Sequence, residues 1–335
     1  MKNRLVQKGM LLASVVLLVF LMGSVVHFFS FLNRPAPETR MVVIPRGSNL
    51  HKTARTLEAE GIISSAFWFL ALARISDQGF IIRAGEYRFE RGRSPWDILE
   101  QLHSGQGIQE YRLVVPEGFS LREIAASMVK LGWQEAPRLL LDPALGESMR
   151  LEGSGSLEGW LFPDTYFYRN GDSASDLIRR MIERGRKVLR QEWEGRPKDF
   201  SLTPYQALIL ASIIEKETGV GSERPLIAGV FHNRLGRDMM LQSDPTVIYG
   251  IADFDGNITR KHLNTPTPYN TYARKGLPPT PICSPGQASI HAVFHPESTK
   301  ALYFVANGSG AHVFSATLEE HERNVDRYQR HGRPH

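Results

Sequence analysis

Val43-Ile-Pro-Arg-Gly-Ser-Asn-Leu50 recurs as Val114-Val-Pro-Glu-Gly-Phe-Ser-Leu121, and Ala54 and Gly61 of the first copy are matched by Ala125 and Gly132 of the second. Each copy reads as a strand, a Pro-x-Gly turn, an amphipathic helix capped near Ser48 or Ser120, and a stop at glycine. Between the copies, Ala66 to Ile75 reads as a further helix with Ser64 or Ser65 as its cap. Arg83-Ala-Gly-Glu-Tyr-Arg-Phe89 reads as a strand entered by a turn. Ser94-Pro-Trp-Asp-Ile-Leu-Glu-Gln-Leu102 begins as a capped helix with Pro at its first position and ends at Ser104-Gly105. Strands and helices interleaved in this way predict an α+β fold.

The N-terminus is of another kind. Lys2, Arg4 and Lys8 precede a run from Met10 to Leu32 that contains no Asp, Glu, Lys or Arg. The run exceeds the about 20 residues that a helix needs to cross a bilayer. A cleavable signal would have a shorter apolar core, about 7–15 residues, and a small-x-small cleavage site, so the segment reads as an uncleaved anchor. Basic residues ahead of it place the N-terminus in the cytoplasm and the rest of the chain across the membrane. Those three cations also carry most of the formal net charge of +5. The remaining body is near neutral, so the basic balance does not argue for nucleic-acid binding. The 335 residues, 42% hydrophobic and 22% charged, suffice for two domains beyond the anchor. The single cysteine, Cys283, excludes an intramolecular disulfide and a cysteine-based metal cage.

Asn33-Arg-Pro-Ala-Pro-Glu38 reads as a short linker, and Gly153-Ser-Gly-Ser156 as a second boundary. Leu157-Glu-Gly-Trp-Leu-Phe-Pro-Asp-Thr-Tyr166 reads as an aromatic-rich loop or edge strand. Residues 173–193 form a long helix whose charges read as a solvated face. Further helices are expected at Arg224–Leu235 and Leu318–Gln329, and a strand at Ala301–Ala306. Thr265 to Pro285 holds six prolines and little periodicity, a loop of a length that is functional or mobile.

Ala211-Ser-Ile-Ile-Glu-Lys-Glu-Thr-Gly219 places a carboxylate where it draws notice. With Thr203 and Pro204 as cap and first turn, Leu210, Ile213 and Ile214 define an apolar stripe. At ~100° per residue Glu217 projects within about 20° of the stripe's centre, while Glu215 points more than ~90° away. A carboxyl held against apolar neighbours keeps its proton to higher pH, which is what a general acid requires. The other reading is that Glu217 ends the helix and turns into water, with Gly219 just beyond. Glycosidic cleavage usually adds a second carboxylate, for which Asp244, Asp164 and Glu223 are candidates; Asp244 before Pro245 equally begins a turn. Trp160, Tyr166, Tyr168, Tyr249, Tyr269 and Tyr272 offer flat faces of the kind sugars stack on.

Other chemistries lack their residues. His291-x-x-x-His295 has Ala292 where a zinc protease needs Glu, and Pro296 follows, so the pair reads as packing or hydrogen-bonding histidines. There is no Gly-x-Ser-x-Gly elbow and no phosphate-binding glycine loop. No metal site and no cofactor are expected.

The repeated strand-turn-helix unit resembles half of a LysM-type module, a small βααβ fold that binds cell-wall glycans. The chain as a whole resembles the YceG-like family, the endolytic murein transglycosylases of bacteria. The resemblance rests on Glu158-Gly-Trp-Leu-Phe-Pro-Asp-Thr-Tyr166, Ala211-Ser-Ile-Ile-Glu-Lys-Glu-Thr218, Ser222-Glu-Arg224 and Val230-Phe-His-Asn-Arg-Leu235. It continues through Leu241-Gln-Ser-Asp-Pro-Thr-Val-Ile-Tyr-Gly250, Thr267-Pro-Tyr-Asn-Thr-Tyr272, Gly276-Leu-Pro-Pro279, Ser284-Pro-Gly286, Tyr303-Phe-Val-Ala306 and His312. It implies an inner-membrane protein with residues 1–9 cytoplasmic, 10–32 transmembrane and 33–40 a linker. A LysM-like module would follow at 41–110 and a periplasmic α+β catalytic domain at 111–335, with 111–150 repeating the strand-turn-helix unit. It implies Glu217 as the catalytic acid and base, cleaving the β-1,4 bond between N-acetylmuramic acid and N-acetylglucosamine of nascent strands with a 1,6-anhydro product. Gln242, Ser243, Asp244, Thr246, Tyr269, Asn270 and Tyr272 are groove candidates for substrate contacts. The implied partners are peptidoglycan synthases and the elongation or division machinery. Asp238, where relatives frequently have Gly, and Thr280 and Cys283 in the proline-rich loop depart from the family's pattern. A hydrolase using Asp244 or Glu223 to activate water, or a non-enzymatic wall-binding scaffold, are the alternatives.

Overall fold

The structure is a computed structural model that describes residues 2–76, 82–149, 151 and 155–330. It is a mixed α+β fold that divides into two compact units: Met1–Tyr111 with Phe167–Asp172, and Arg112–Tyr166 with Ser173–His335. The boundary read at Gly153–Ser156 lies largely outside the described residues.

Unit 1 opens with helix α1 (Lys2–Leu32), whose stretch Gln7–Leu32 is long and apolar enough to cross a membrane. Strand β1 (Arg40–Ile44), helices α2 (Leu50–Ala59) and α3 (Ala66–Ile75), strand β2 (Gly85–Phe89) and helix α4 (Pro95–Ser104) follow. β1 and β2 pair antiparallel, Val42 opposite Tyr87. Alternation along both strands turns Val42, Ile44, Tyr87 and Phe89 inward onto Leu57, Phe69, Ile98 and Leu102. Phe31 at the end of α1 and Ala36 in the following stretch belong to the same core. The stretch read as a linker is therefore pinned, with Ala36 N–H donating to Arg93 O at 2.8 Å and Gly92 N–H donating to Ala36 O at 2.9 Å.

The repeat holds with one correction. α2 is capped by Asn49, whose side chain accepts from Lys52 N, and not by Ser48. Ser48 sits one position too early, and its hydroxyl is buried with no partner. The second copy, β3 (Glu110–Val114) and α5 (Leu121–Lys130), is capped by Ser120 as read, with Glu123 completing a capping box. Gly61 (φ +70°) and Gly132 (φ +104°) end the paired helices in the left-handed region.

Past α5 come α6 (Ala136–Leu141), α7 (Pro143–Ser148), β4 (Thr165–Arg169) paired with β3, and the long α8 (Ala174–Glu194). The segment before β4, a loop or edge strand by its sequence, is a loop, but a buried one, with Leu157, Trp160, Leu161 and Phe162 in the core. Then follow α9 (Pro204–Glu217), α10 (Arg224–Gly236), α11 (Asp244–Tyr249), α12 (Arg260–Asn264) and α13 (Gln287–Phe294). A hairpin of β5 (Tyr303–Ala306) and β6 (His312–Ser315) and helix α14 (Leu318–Val325) close the fold. The sequence predicts only β5 of that hairpin, and α14 runs into a π turn at Asp326–Arg330.

Candidate active site

Thr203 and Gln206 close a capping box around the start of α9, with Pro204 at the first position. From Ala207 to Ile214 every residue of α9 is buried, because α8, α10, α11 and α13 pack around it. The one-sided stripe expected from the sequence is thus wrong: a helix enclosed on all sides is apolar on all sides. The single hydroxyl in that run, Ser212, donates to Ile209 O at 2.7 Å and accepts from Ile282 N at 3.0 Å.

Glu217 is the last residue of α9, yet its carboxyl does not turn into water. Its Oε1 accepts from the Ser243 hydroxyl at 2.5 Å. The residue is half-buried and its carboxyl closely surrounded, and loss of hydration pushes its pKa up to about 7. The Ser243 hydrogen bond opposes the rise, the Asp244 charge adds to it, and His312 and Arg234 oppose it. Ser243 is aimed by its neighbours. Gln242 has φ +52°, a left-handed backbone unusual outside glycine, and its N–H donates to Thr271 O at 3.1 Å. Ser243 N–H donates to Thr271 Oγ1 at 3.0 Å.

The groove candidates divide by exposure. Gln242 and Asp244 are exposed; Gln242 Oε1 accepts from Arg234, and Asp244 accepts from the Tyr272 hydroxyl at 2.6 Å. Tyr269 and Tyr272 are half-buried, Tyr269 edge-on to Tyr249 with ring centroids 4.8 Å apart. Thr246 and Asn270 are fully buried and present no surface to a ligand. Thr246 donates to Ser243 O, and Asn270 Nδ2 donates to the carbonyls of His262, Leu263 and Thr265. These two side chains build the site's walls, and the proline-rich loop that carries Asn270 is packed rather than free.

The second-carboxylate candidates are engaged. Glu223 accepts from His312 N and from Thr218 Oγ1, and its Oε2 lies 2.7 Å from His312 Nδ1. Burial would raise its pKa, but these bonds outweigh it and hold the carboxyl below its ordinary value. Asp164 pairs with Arg184 at 3.3 Å.

Three features have roles that no local pattern in the sequence assigns. Arg234 is buried, and its guanidinium donates to the carbonyls of Met240, Leu241 and Leu302, so it braces the loop that leads to Ser243. Glu215, read as pointing away from the core, has a side chain only 5% exposed that bonds Arg224 at 3.1 Å and Gly286 N–H at 2.9 Å. Glu158 is buried, accepts from Leu121 N–H and the Tyr249 hydroxyl, and is pushed up to about 7 by burial. A cleft of about 430 Å³ opens next to Tyr249, lined also by Arg122, Lys216, Pro245 and Ile248.

The family model of the YceG-like family matches residues 42–327. The chain belongs to the YceG-like family. Among its relatives, the endolytic murein transglycosylase of Bacillus subtilis (strain 168) is 32% identical over 303 residues, 85% of this chain and 83% of that one. The protein of the same name from Streptococcus pneumoniae serotype 2 is 32% identical over 318 residues, but these are 57% of its length. A solved YceG-like structure from Listeria monocytogenes is 32% identical, covers 86% of this chain and 99% of its own, and superposes with a TM-score of 0.55. In this YceG-like chain Asp238 adopts φ +52°, the conformation glycine adopts most freely.

Among the described residues, one set of side chains has metal-ligand spacing. Glu192 of α8 reaches His291 Nδ1 at 2.9 Å and His295 Nε2 at 3.9 Å, and the three ligating atoms lie within 4.8 Å of one another. His291 is hydrogen-bonded to Glu192 and its ring lies 4.3 Å from that of His295, in keeping with packing or hydrogen-bonding histidines. None of the three is among the residues around Glu217.

Proposed function

We propose that this chain is a lytic transglycosylase that cuts peptidoglycan glycan strands internally, with Glu217 as its acid and base. The observation that carries the reading is a half-buried carboxyl at the end of an enclosed helix, held by one hydroxyl donor and pushed up to about 7 by burial. Protonated Glu217 donates to the oxygen that leaves as the 4-hydroxyl of N-acetylglucosamine, and the C1–O4 bond breaks. The carboxylate then takes the proton from the C6 hydroxyl of N-acetylmuramic acid as O6 bonds to C1. An internal nucleophile already in place removes the need for a second carboxylate, which agrees with Glu223 and Asp164 being occupied by other partners. Gln242, Asp244, Tyr269 and Tyr272 are the side chains around Ser243 with surface to offer the strand.

On the same reading α1 anchors the protein in the inner membrane with the N-terminus cytoplasmic, which concentrates it beside new strands. The order β1, α2, α3, β2, with the two strands paired, supports a LysM-like role in glycan binding for residues 41–110. Synthases and the elongation or division machinery are the partners proposed by resemblance.

Mass spectrometry of products from purified glycan strands tests the reading, using the full chain and its Glu217→Gln variant. Anhydro-ended internal fragments are expected from the parent alone. Water-added ends would establish a hydrolase instead, and binding without cleavage would leave a scaffold.

A further inference from the structure

α3 has no polar side. One face packs into the core of unit 1 through Ala66, Phe69, Leu72 and Ala73. The opposite face carries Phe67, Ala71 and Ile75 at four-residue spacing, which aligns them on one line. Phe67 is 69% exposed, Ile75 is 68% exposed and the small Ala71 lies half-buried between them. The helix contains no Asp or Glu, and its one charge is the exposed Arg74 in the last turn. A helix lying on a water-facing surface carries polar residues on its outward side; this one carries two large apolar side chains there, with only a methyl group between them.

The surroundings say what covers it. The ring of Phe28, in the last turns of α1, lies 5.6 Å from Trp68 of α3, and Trp68 lies 4.9 Å edge-on from Phe67. Phe29 of α1 is exposed at 58% and stands 6.4 Å from Phe28. Half-buried Phe28 and Trp68 therefore link exposed Phe29 at the end of α1 to exposed Phe67 on α3 through successive ring contacts. Trp, here Trp68, gathers where hydrocarbon meets water, and a cation beside an apolar helix face reaches up to lipid phosphates.

Resting on the reading of α1 as a membrane anchor, we propose that α3 is an interfacial helix. Its Phe67–Ala71–Ile75 face is seated in the lipid of the leaflet from which α1 emerges, so unit 1 lies on the bilayer.

The test uses the full chain in lipid nanodiscs with nitroxide labels on Phe67→Cys, Ala71→Cys and Ile75→Cys, one at a time; Cys283 is buried and stays unlabelled. Val19→Cys within α1 and Arg55→Cys on the outward side of α2 are the references. Accessibility to oxygen and to a water-soluble nickel chelate is compared at each site. The proposal expects a several-fold higher oxygen-to-nickel ratio at 67, 71 and 75 than at 55, approaching that at 19. A ratio at the three sites equal to that at 55, with 19 still deep, overturns the interfacial helix and leaves the anchor standing. Water access at 19 overturns the anchor and the proposal together. Labels immobilised and shielded from both reagents would show a protein surface covering the face, and would also overturn it.

Discussion

Glu217 and Glu158 are both pushed up to about 7 by burial, and their partners separate their roles. Glu217 has one hydroxyl donor and lies at a half-open helix end. Glu158 is enclosed and holds the start of α5 through Leu121 N–H. With Glu217 as the proposed acid, cleavage needs the protonated form, so kcat/KM is expected to fall about tenfold per pH unit above the pKa. The Ser243 bond lowers that pKa, so Ser243→Ala shifts the alkaline limb of the pH–rate profile upward; an unmoved limb would disconnect Ser243 from the acid. For Glu158, the folded state binds the proton more tightly than the unfolded chain. Its contribution is fully favourable below 4.5 and declines as pH rises toward 7. A carboxyl displaced that far corresponds to roughly 3 kcal/mol. Thermal unfolding followed from pH 4 to 8 should therefore show a flatter decline for Glu158→Gln than for the parent.

At the scale of elements, α10 offers a contest of two terms. Replacing a mid-helix glycine by alanine ordinarily gains about 1 kcal/mol. At Gly229 the added Cβ would stand 2.4 Å from Glu297 O, and overpacking of that kind costs about 1–3 kcal/mol. Since the obstacle is backbone and cannot swing aside, Gly229→Ala should lower stability in chemical denaturation; a gain would mean the Glu297 segment yields freely. Such close approaches explain what was legible. The caps at Ser65, Ser94, Ser120 and Thr203 were readable because a cap involves residues three positions apart. Glu217 drew attention through a stripe that the enclosed α9 does not have. The groups that surround its carboxyl are instead Ser243, Asp244, Arg234 and His312, none of them within the helix. Glu158, Arg234 and the Glu215–Arg224 pair act across 9 to 91 positions, which no local period encodes. β6 was missed because four half-polar residues look like a loop until β5 lies beside them.

For the whole molecule, the last turn of α1 is also part of a folded core. Phe31 is 3% exposed among the residues that Phe69 and Leu102 belong to. Phe31→Ala should destabilise unit 1 by about 3–5 kcal/mol, read as an earlier unfolding transition of the full chain in detergent. An unchanged transition would show that unit 1 folds independently of its anchor.

That shared turn also makes membrane thickness something unit 1 responds to. At 1.5 Å per residue the stretch Gln7–Leu32 is roughly 39 Å long, more than the about 30 Å of hydrocarbon it crosses as an anchor. Excess length is taken up by tilt, more in thin bilayers and less in thick ones. A loose joint at the exit would absorb the tilt; with Phe31 and Ala36 locked into the core, unit 1 leans with its helix. With α1 as the proposed anchor, the lipid composition around it thereby sets the tilt of unit 1.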